Sequence, residues 1–150
     1  MKQSTDTRPV IHNKKASHDY FIEETYDCGL VLKGNEVKSI YSGMANINNA
    51  WCEYIDNRLV VTNMFIAKWN TANTFDTDER RKRPLLLHKK EINKIVKKMK
   101  EPGYTVIPLK VYWSKQYVKM QIGICRGKHN YDKRETLKQK DIQRQLERYR

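Results

Sequence analysis

The chain has 150 residues, 39% of them apolar, which is enough for one modest hydrophobic core but not for two. Lysine and arginine number 30 against 17 aspartate and glutamate residues, so the formal net charge is +13 and favours a polyanionic partner. No apolar run reaches the roughly 18 residues of a membrane span and no signal peptide is recognisable, so we expect a cytoplasmic protein rather than a membrane-bound one.

The N-terminal stretch is polar and basic without hydrophobic periodicity, which predicts a flexible basic arm over residues 1–16. Residues 17–34 are rich in aromatic and β-branched side chains, and they predict a long strand that bends or bulges near Gly29. The folded body is therefore expected to begin at residue 17.

A short helix is predicted after this strand, because Val37, Ile40 and Tyr41 recur at helical spacing. Asn35 is the expected N-cap residue, and Gly43 is expected to follow the last turn. One face of this helix should pack on the core.

Two strands follow, over residues 51–55 and 58–67, and the pair Asp56-Asn57 between them predicts a tight hairpin. Residues 68–84 have no hydrophobic period, so we expect a long surface loop. Its end carries four consecutive basic residues, 80–83, which are candidates for phosphate contacts.

The clearest helical pattern covers residues 88–100. Its apolar positions follow the spacing i, i+3, i+4 and i+7: Ile92, Ile95, Val96 and Met99. The opposite side carries Lys90, Lys94 and Lys97. These lysines can adjoin the basic loop in a phosphate-binding surface, and a merely solvated helix face is the competing interpretation.

A second hairpin is predicted near the end of the body, with the turn "SKQ" between its strands. Alternation places two apolar rows, each on one strand face: Ile107, Leu109, Val111 and Trp113, then Val118, Met120, Ile122 and Ile124. Tyr112 and Tyr117 lie on the opposite faces beside lysines, where they can stack on unpaired bases or simply cover the outside of a barrel.

The order of elements predicts a mainly β protein with short helices, in which residues 17–127 form an OB-fold-like small antiparallel barrel. Residues 128–150 form a basic tail with too thin an apolar stripe to pack on the body, so it should be disordered when free and helical beside a polyanion. The three cysteines stand singly, as expected for buried thiols.

No catalytic, metal-binding or cofactor motif is present: the four histidines are scattered, and there is no Gly-rich phosphate loop. We therefore expect no enzyme activity, no metal and no cofactor. A weaker alternative is a nuclease that uses the carboxylates of Asp76, Asp78 and Glu79.

Several long blocks closely resemble the SmpB family, the small protein partner of transfer-messenger RNA in trans-translation. These blocks are "NKKASHDYFIEETYDCGLVLKGNEVKSI", "RRKRPLLLHKKEI", "VIPLKVYW" and "IGICRGKHNYDKRE". The resemblance implies an OB-fold body that grips the tRNA-like domain of that RNA and replaces the missing anticodon arm on a stalled ribosome. It also implies a tail that lies as a helix in the empty mRNA channel near the small-subunit decoding centre.

The resemblance, together with the basic loop, gives a set of expected RNA-binding residues in the body: Asn13, Gly34, Glu36, Val37, Lys38, Ser39, Arg80, Arg81, Arg83, Leu86 and His88. The expected ribosome-binding residues of the tail are Lys128, Tyr131, Asp132, Lys133, Arg134, Lys138, Lys140 and Arg144. At Tyr41, Met44 and Pro84 the chain departs from residues that are common in the family.

We expect a monomer in a one-to-one complex with RNA, because no apolar patch suited to a symmetric interface is evident. The alternative is a structural ribosomal protein with an OB-fold and a basic tail threaded through ribosomal RNA. Composition alone does not separate these two hypotheses.

Overall fold

The computed structural model describes residues 8–68 and 79–127, which form nine strands and three helices. In chain order these are β1 Ile11–His12, α1 Ala16–Asp19, β2 Tyr20–Leu30, α2 Gly34–Tyr41, β3 Ala45–Asn46, β4 Trp51–Ile55, β5 Arg58–Thr62, β6 Phe65–Ile66, β7 Arg83–Leu86, α3 Lys89–Met99, β8 Tyr104–Ser114 and β9 Tyr117–Gly127. The predicted tail, residues 128–150, and most of the predicted loop, residues 69–78, lie outside the described residues.

One antiparallel sheet of seven strands organises the body, in the order β1-β8-β9-β2-β7-β5-β4. The remaining strands, β3 and β6, pair only with each other. Strand β4, at one end of the order, packs against β8 near the other end, so the sheet curls into a partly closed barrel. The predicted class, mainly antiparallel β with short helices, is confirmed.

The long β8–β9 hairpin contains an irregularity that changes which side chains face the core. Its register shifts between Pro108 and Lys110, which is the signature of a β-bulge. Val106 therefore joins Val111 in the main core, whereas Ile107 belongs to a second, smaller cluster. The prediction of a single apolar row through 107, 109, 111 and 113 is wrong, because the bulge inverts the alternation.

The flexible arm predicted over residues 1–16 includes residues that belong to the folded body. Ile11 and His12 pair with β8 as strand β1, and Ile11 is buried. Ala16 is also buried, in the smaller core cluster beside Ile107. These two apolar side chains tie the segment to the barrel, so the body begins several residues before residue 17.

The hairpin between β4 and β5 forms as predicted. Asp56 and Asn57 have φ angles of 50° and 65°, the left-handed values that a two-residue turn requires. Gly43 follows α2 with a φ of 76°, also as predicted. The expected N-cap is wrong, since Lys33 rather than Asn35 occupies that position.

Strand β2 is regular at Gly29, where a bend was predicted. The register shift lies instead between Ile22 and Glu24 in the ladder with β9. Gly29 itself pairs with Leu86 of β7 and with Lys119 of β9. The absence of a side chain at Gly29 leaves room for the side chain of Leu86.

The three cysteines are free thiols inside the barrel. Burial raises the pKa of Cys28 and of Cys125 to about 12, and it raises the pKa of Cys52 well above the ordinary value. They are packing residues rather than nucleophiles, because a reactive cysteine needs an accessible thiolate.

The central strand β9 should dominate the stability of the barrel. Ile122 is fully buried between β8 and β2, so Ile122→Ala should lower the free energy of unfolding by about 2–5 kcal/mol in urea denaturation. Ile22→Ala is the matched control: this side chain is 40% exposed, and its truncation should cost clearly less. Equal losses for both variants would contradict the position of the core.

Candidate nucleic-acid interface

A buried carboxylate, Glu36 of α2, contacts two of the four consecutive basic residues 80–83. It occupies the first turn of α2, where its Oε1 accepts a hydrogen bond of 2.8 Å from the Lys33 amide. Arg81 donates to both of its oxygens at 2.7 and 3.0 Å. Arg83 donates twice to Oε2, at 2.8 and 3.0 Å, and also to the Met64 carbonyl. One carboxylate thus joins α2 to two arginines at the start of β7.

The ionisation of Glu36 follows from these contacts. Burial raises the pKa of its carboxyl, but the hydrogen bonds from Arg81, from the Lys33 amide and from Arg83 outweigh that effect. The pKa therefore lies below its ordinary value, and the group is charged at neutral pH. A buried charge is tolerated here because every lone-pair direction meets a donor.

Three of the expected RNA-binding residues lie inside this arrangement. Glu36 and Arg83 are at most 1% exposed, and the buried Ser39 hydroxyl donates to the Ala67 carbonyl at 2.6 Å. Their polar atoms face protein groups in this structure, so their contact with RNA stays a prediction.

Asn13, another expected RNA-binding residue, has a structural role in the folded chain. Its amide nitrogen donates to the carbonyls of Ile47 and Pro108, and its oxygen accepts from the Lys15 and Ala16 amides. These bonds use both donors and both acceptor positions of the side chain. Asn13 therefore fastens the N-terminal segment to the barrel.

The four consecutive basic residues 80–83 were predicted as candidates for phosphate contacts. They do not form one exposed cluster in the structure. Arg81 is half-buried on Glu36, while Lys82 pairs with Glu53 at 2.9 Å. Arg80 is exposed, with its guanidinium 5.2 Å from the centre of the Phe65 ring. Arg81 and Arg83 thus reach Glu36, whereas Lys82 between them reaches Glu53.

The most exposed apolar and aromatic side chains of β7 and β9 meet in a groove. Leu86 is 62% exposed and Tyr117 is 70% exposed, and both line an open cleft of about 420 Å³. Gly29 forms part of the floor: a Cβ built there lies 3.3 Å from Leu86, so a larger residue would crowd this side. Lys115 and Lys119 also line the cleft. We call this cleft the Leu86–Tyr117 groove.

A second cleft of about 370 Å³ adjoins this groove through Leu86 and Lys119. It is also lined by His88 and Asp27. The Tyr112 hydroxyl donates to Asp27 at 2.9 Å and holds its carboxylate in place. Burial and then this hydrogen bond raise the pKa of Tyr112 to about 12, so the phenol stays a donor. A carboxylate and an imidazole beside an apolar floor can recognise the polar edge of a base.

Sequence reasoning found this site only in part. Leu86 and His88 were expected from the resemblance, and Tyr117 from strand alternation, whereas Asp27 and Gly29 were missed. The glycine within a strand was the available signal, because such a residue marks a close approach of backbone or ligand. No local sequence pattern pointed to Asp27, because its hydrogen-bond partner Tyr112 is 85 residues away along the chain.

The other expected residues of the body lie on α2. Gly34 and Lys38 are exposed but line neither cleft, and Val37 packs partly against the core. Tyr41, one of the departures from the family, stands edge-on to the Trp113 ring. The expected tail residues, Lys128 to Arg144, lie outside the described residues.

The nuclease alternative requires carboxylates placed to hold a metal ion. Residues 8–68 and 79–127 contain no group of three or more histidine, cysteine or carboxylate side chains placed to hold a metal. Glu79 accepts a hydrogen bond from the Lys68 amide, and its supposed partners Asp76 and Asp78 are not described. None of the helices in these ranges has the length and apolar character that crossing a membrane requires.

A basic antiparallel barrel with an exposed apolar and aromatic groove is typical of proteins that bind unpaired nucleic acid. Comparison with known families makes the assignment specific: the family model "SmpB protein" matches residues 10–150. The chain belongs to the SmpB family.

Individual relatives agree with this assignment. The SsrA-binding protein of Fusobacterium nucleatum is 49% identical over 139 residues, which cover 93% of this chain and 94% of the relative. The Bacillus subtilis SsrA-binding protein is 46% identical and covers 91% and 87%. A chain of the solved structure "tmRNA-SmpB: a journey to the center of the bacterial ribosome" is 40% identical, with a TM-score of 0.68 and coverage of 80% of this chain and 85% of that one.

Glu36→Gln should destabilise the protein by about 3 kcal/mol at pH 7, because it leaves two arginines without their counter-charge. The lowered pKa gives a stabilisation that is complete above the unfolded value of about 4.3 and is lost as the pH falls through the folded value. The gap between variant and wild type should therefore narrow on acidification, as measured by urea denaturation from pH 7 to pH 3.

Glu101→Gln is the matched control, since this exposed carboxylate pairs only with Lys98 at 3.5 Å. It should change stability by less than about 0.5 kcal/mol at every pH. A Glu36→Gln protein as stable as wild type at neutral pH would contradict the structural role of this carboxylate.

Proposed function

We propose that this protein binds the tRNA-like domain of transfer-messenger RNA and delivers that RNA to stalled ribosomes for rescue. The observation that carries the proposal is the Leu86–Tyr117 groove on the basic barrel of an SmpB-family chain. The relatives named as SsrA-binding proteins and the solved tmRNA-SmpB structure support the same partner.

The groove supplies the contacts that a folded RNA loop requires. Leu86 and Tyr117 offer apolar surface to unpaired bases, and Lys115 and Lys119, which also line the groove, offer ammonium groups to the adjoining phosphates. Each stacked base is worth about 1–3 kcal/mol, which is enough to fix the RNA in one orientation.

The protein acts in this proposal by binding alone, as a cytoplasmic monomer in a one-to-one complex with the RNA. Its body replaces the anticodon arm that the tRNA-like domain lacks. The tail enters the empty mRNA channel and folds as a helix on ribosomal RNA through Lys133, Arg134, Lys138, Lys140 and Arg144. Phosphate contacts offset the entropy lost when the tail becomes ordered.

Truncation of either groove side chain should weaken RNA binding without unfolding the protein. Leu86→Ala and Tyr117→Ala should each raise the dissociation constant for the tRNA-like domain about tenfold, because each removes a surface for one base. Tyr54→Ala is the control: this tyrosine is 43% exposed on β4 and lines neither cleft. Filter binding at fixed salt measures all three.

Unchanged binding by both groove variants, or an equal loss in Tyr54→Ala, would refute the assignment of the groove. The structural ribosomal alternative predicts a different result: the wild-type protein would stay on ribosomes through a high-salt wash and would carry no small RNA of its own.

Removal of residues 129–150 should separate the two proposed activities. The shortened protein retains the barrel and the groove, so it should bind the tRNA-like domain within about twofold of the full chain. Peptide tagging on ribosomes stalled on a truncated message should be lost, because nothing then enters the mRNA channel. Normal tagging by the shortened protein would refute the role of the tail.

A further inference from the structure

Helix α3 carries a face of lysines that the proposed binding groove does not use. Residues 89–100 contain six lysines and one glutamate. Five of these lysines are exposed: Lys89, Lys90, Lys94, Lys97 and Lys100. The opposite face packs against the barrel, with Ile95 fully buried. This packing fixes the rotation of the helix and keeps the lysines exposed to solvent.

Among the described residues these five lysines have no carboxylate partner, although they lie together on one helix face. Elsewhere in those ranges Arg81 and Arg83 pair with Glu36, Lys82 with Glu53, and Lys98 with Glu101. The glutamate of α3, Glu91, is engaged at the helix start by the His88 amide. Five ammonium groups without an ion pair therefore share this one helix face.

The N-terminal part of the lysine face is unfavourable for the isolated helix, whereas Lys97 lies in the last turn, where a cation is favourable. Lys89 and Lys90 lie in the first turn, where the helix dipole disfavours a positive charge. Lys90 and Lys94 are four residues apart, and Lys94 and Lys97 three apart, so like charges are neighbours. A local rule broken without a gain inside the protein points to a function outside it.

The composition of this face identifies the kind of partner. Residues 89–100 contain no aromatic side chain that could stack on a base, so the face is suited to phosphates and not to base recognition. The exposed lysines extend along about 16 Å of straight helix, at 1.5 Å per residue. A rigid row of charges of this length fits the backbone of a double-stranded RNA helix, whose bases are covered.

The lysine face also has a defined position relative to the groove. His88, the N-cap residue of α3, lines the cleft that adjoins the Leu86–Tyr117 groove. An RNA whose unpaired bases occupy the groove can therefore continue as a duplex along α3.

We propose that the lysine face of α3 binds the phosphate backbone of an RNA duplex, independently of sequence, next to the base-binding groove. This inference rests on the proposed function and divides the RNA contacts of the barrel in two. The groove recognises unpaired bases, and α3 supplies affinity that depends on salt.

The test compares two charge-matched triple variants of the full chain. The first replaces Lys90, Lys94 and Lys97 by glutamine. The second replaces Lys14, Arg58 and Lys68 by glutamine, so both variants lose three positive charges. These three residues are exposed cations outside α3 and outside both clefts. Binding to a blunt RNA duplex of about 20 base pairs is measured across a salt series, and circular dichroism checks the fold.

The α3 variant should bind the duplex at least tenfold more weakly at about 100 mM salt. Its slope of log K against log salt should become shallower by about 2 to 3, since three phosphate contacts are lost at roughly 0.7–0.9 each. The control variant should lose less than threefold. Thermal unfolding of the α3 variant should occur at the same or a higher temperature, because repulsion along the helix is relieved.

Equal losses in both triple variants, or an unchanged slope in the α3 variant, would overturn the inference. The groove variant Leu86→Ala separates this result from a failure of the proposed function, because it should retain duplex binding. If the wild-type protein does not bind the tRNA-like domain, the proposed function fails, whatever the duplex series shows. If that RNA binds and the α3 variant keeps the wild-type slope, only the lysine face is refuted.

Discussion

The shared carboxylate of Glu36 is the interaction on which the rest of the surface depends. It neutralises Arg81 and Arg83 and thereby attaches the beginning of β7 to the first turn of α2. Leu86 follows Arg83 by three residues on the same short strand, so the position of the groove is set by how β7 is held. A buried ion pair of this kind contributes little net stability, but removal of one partner leaves an uncompensated charge, which makes the arrangement intolerant of change.

This arrangement also explains how a strongly basic chain keeps a folded body. The buried charges are matched, since Arg81 and Arg83 share Glu36, and two surface pairs add to this, Lys82 with Glu53 and Arg126 with Glu23. Within the described residues, lysines that form no ion pair include those that line the groove and those on α3, where solvent screens them until a polyanion arrives. The separation of paired from unpaired cations distinguishes the structural part of the charge from the part available for binding.

Local sequence signals predicted those elements that depend on neighbouring residues. Asp56 and Asn57 adopt left-handed φ angles that few other residues tolerate, so their turn was readable from the pair alone. The α3 stripe was readable because Ile92, Ile95 and Met99 recur at helical spacing and pack against the same core. The groove was only partly predictable, because Gly29, Leu86 and Tyr117 come together from three strands that are far apart in the chain.

The sequence by itself determined the fold class, the hairpin turns, the buried thiols and the excess of positive charge, because these follow from composition, periodicity and local backbone preference. Only the tertiary structure decided which cations are buried and which are exposed. Arg83 and Arg80 are equally basic in the sequence, yet one is fully buried on Glu36 and the other is exposed. The physical reason is that the state of a charge depends on the carboxylate and the solvent around it, and Glu36 lies 47 residues from Arg83 along the chain.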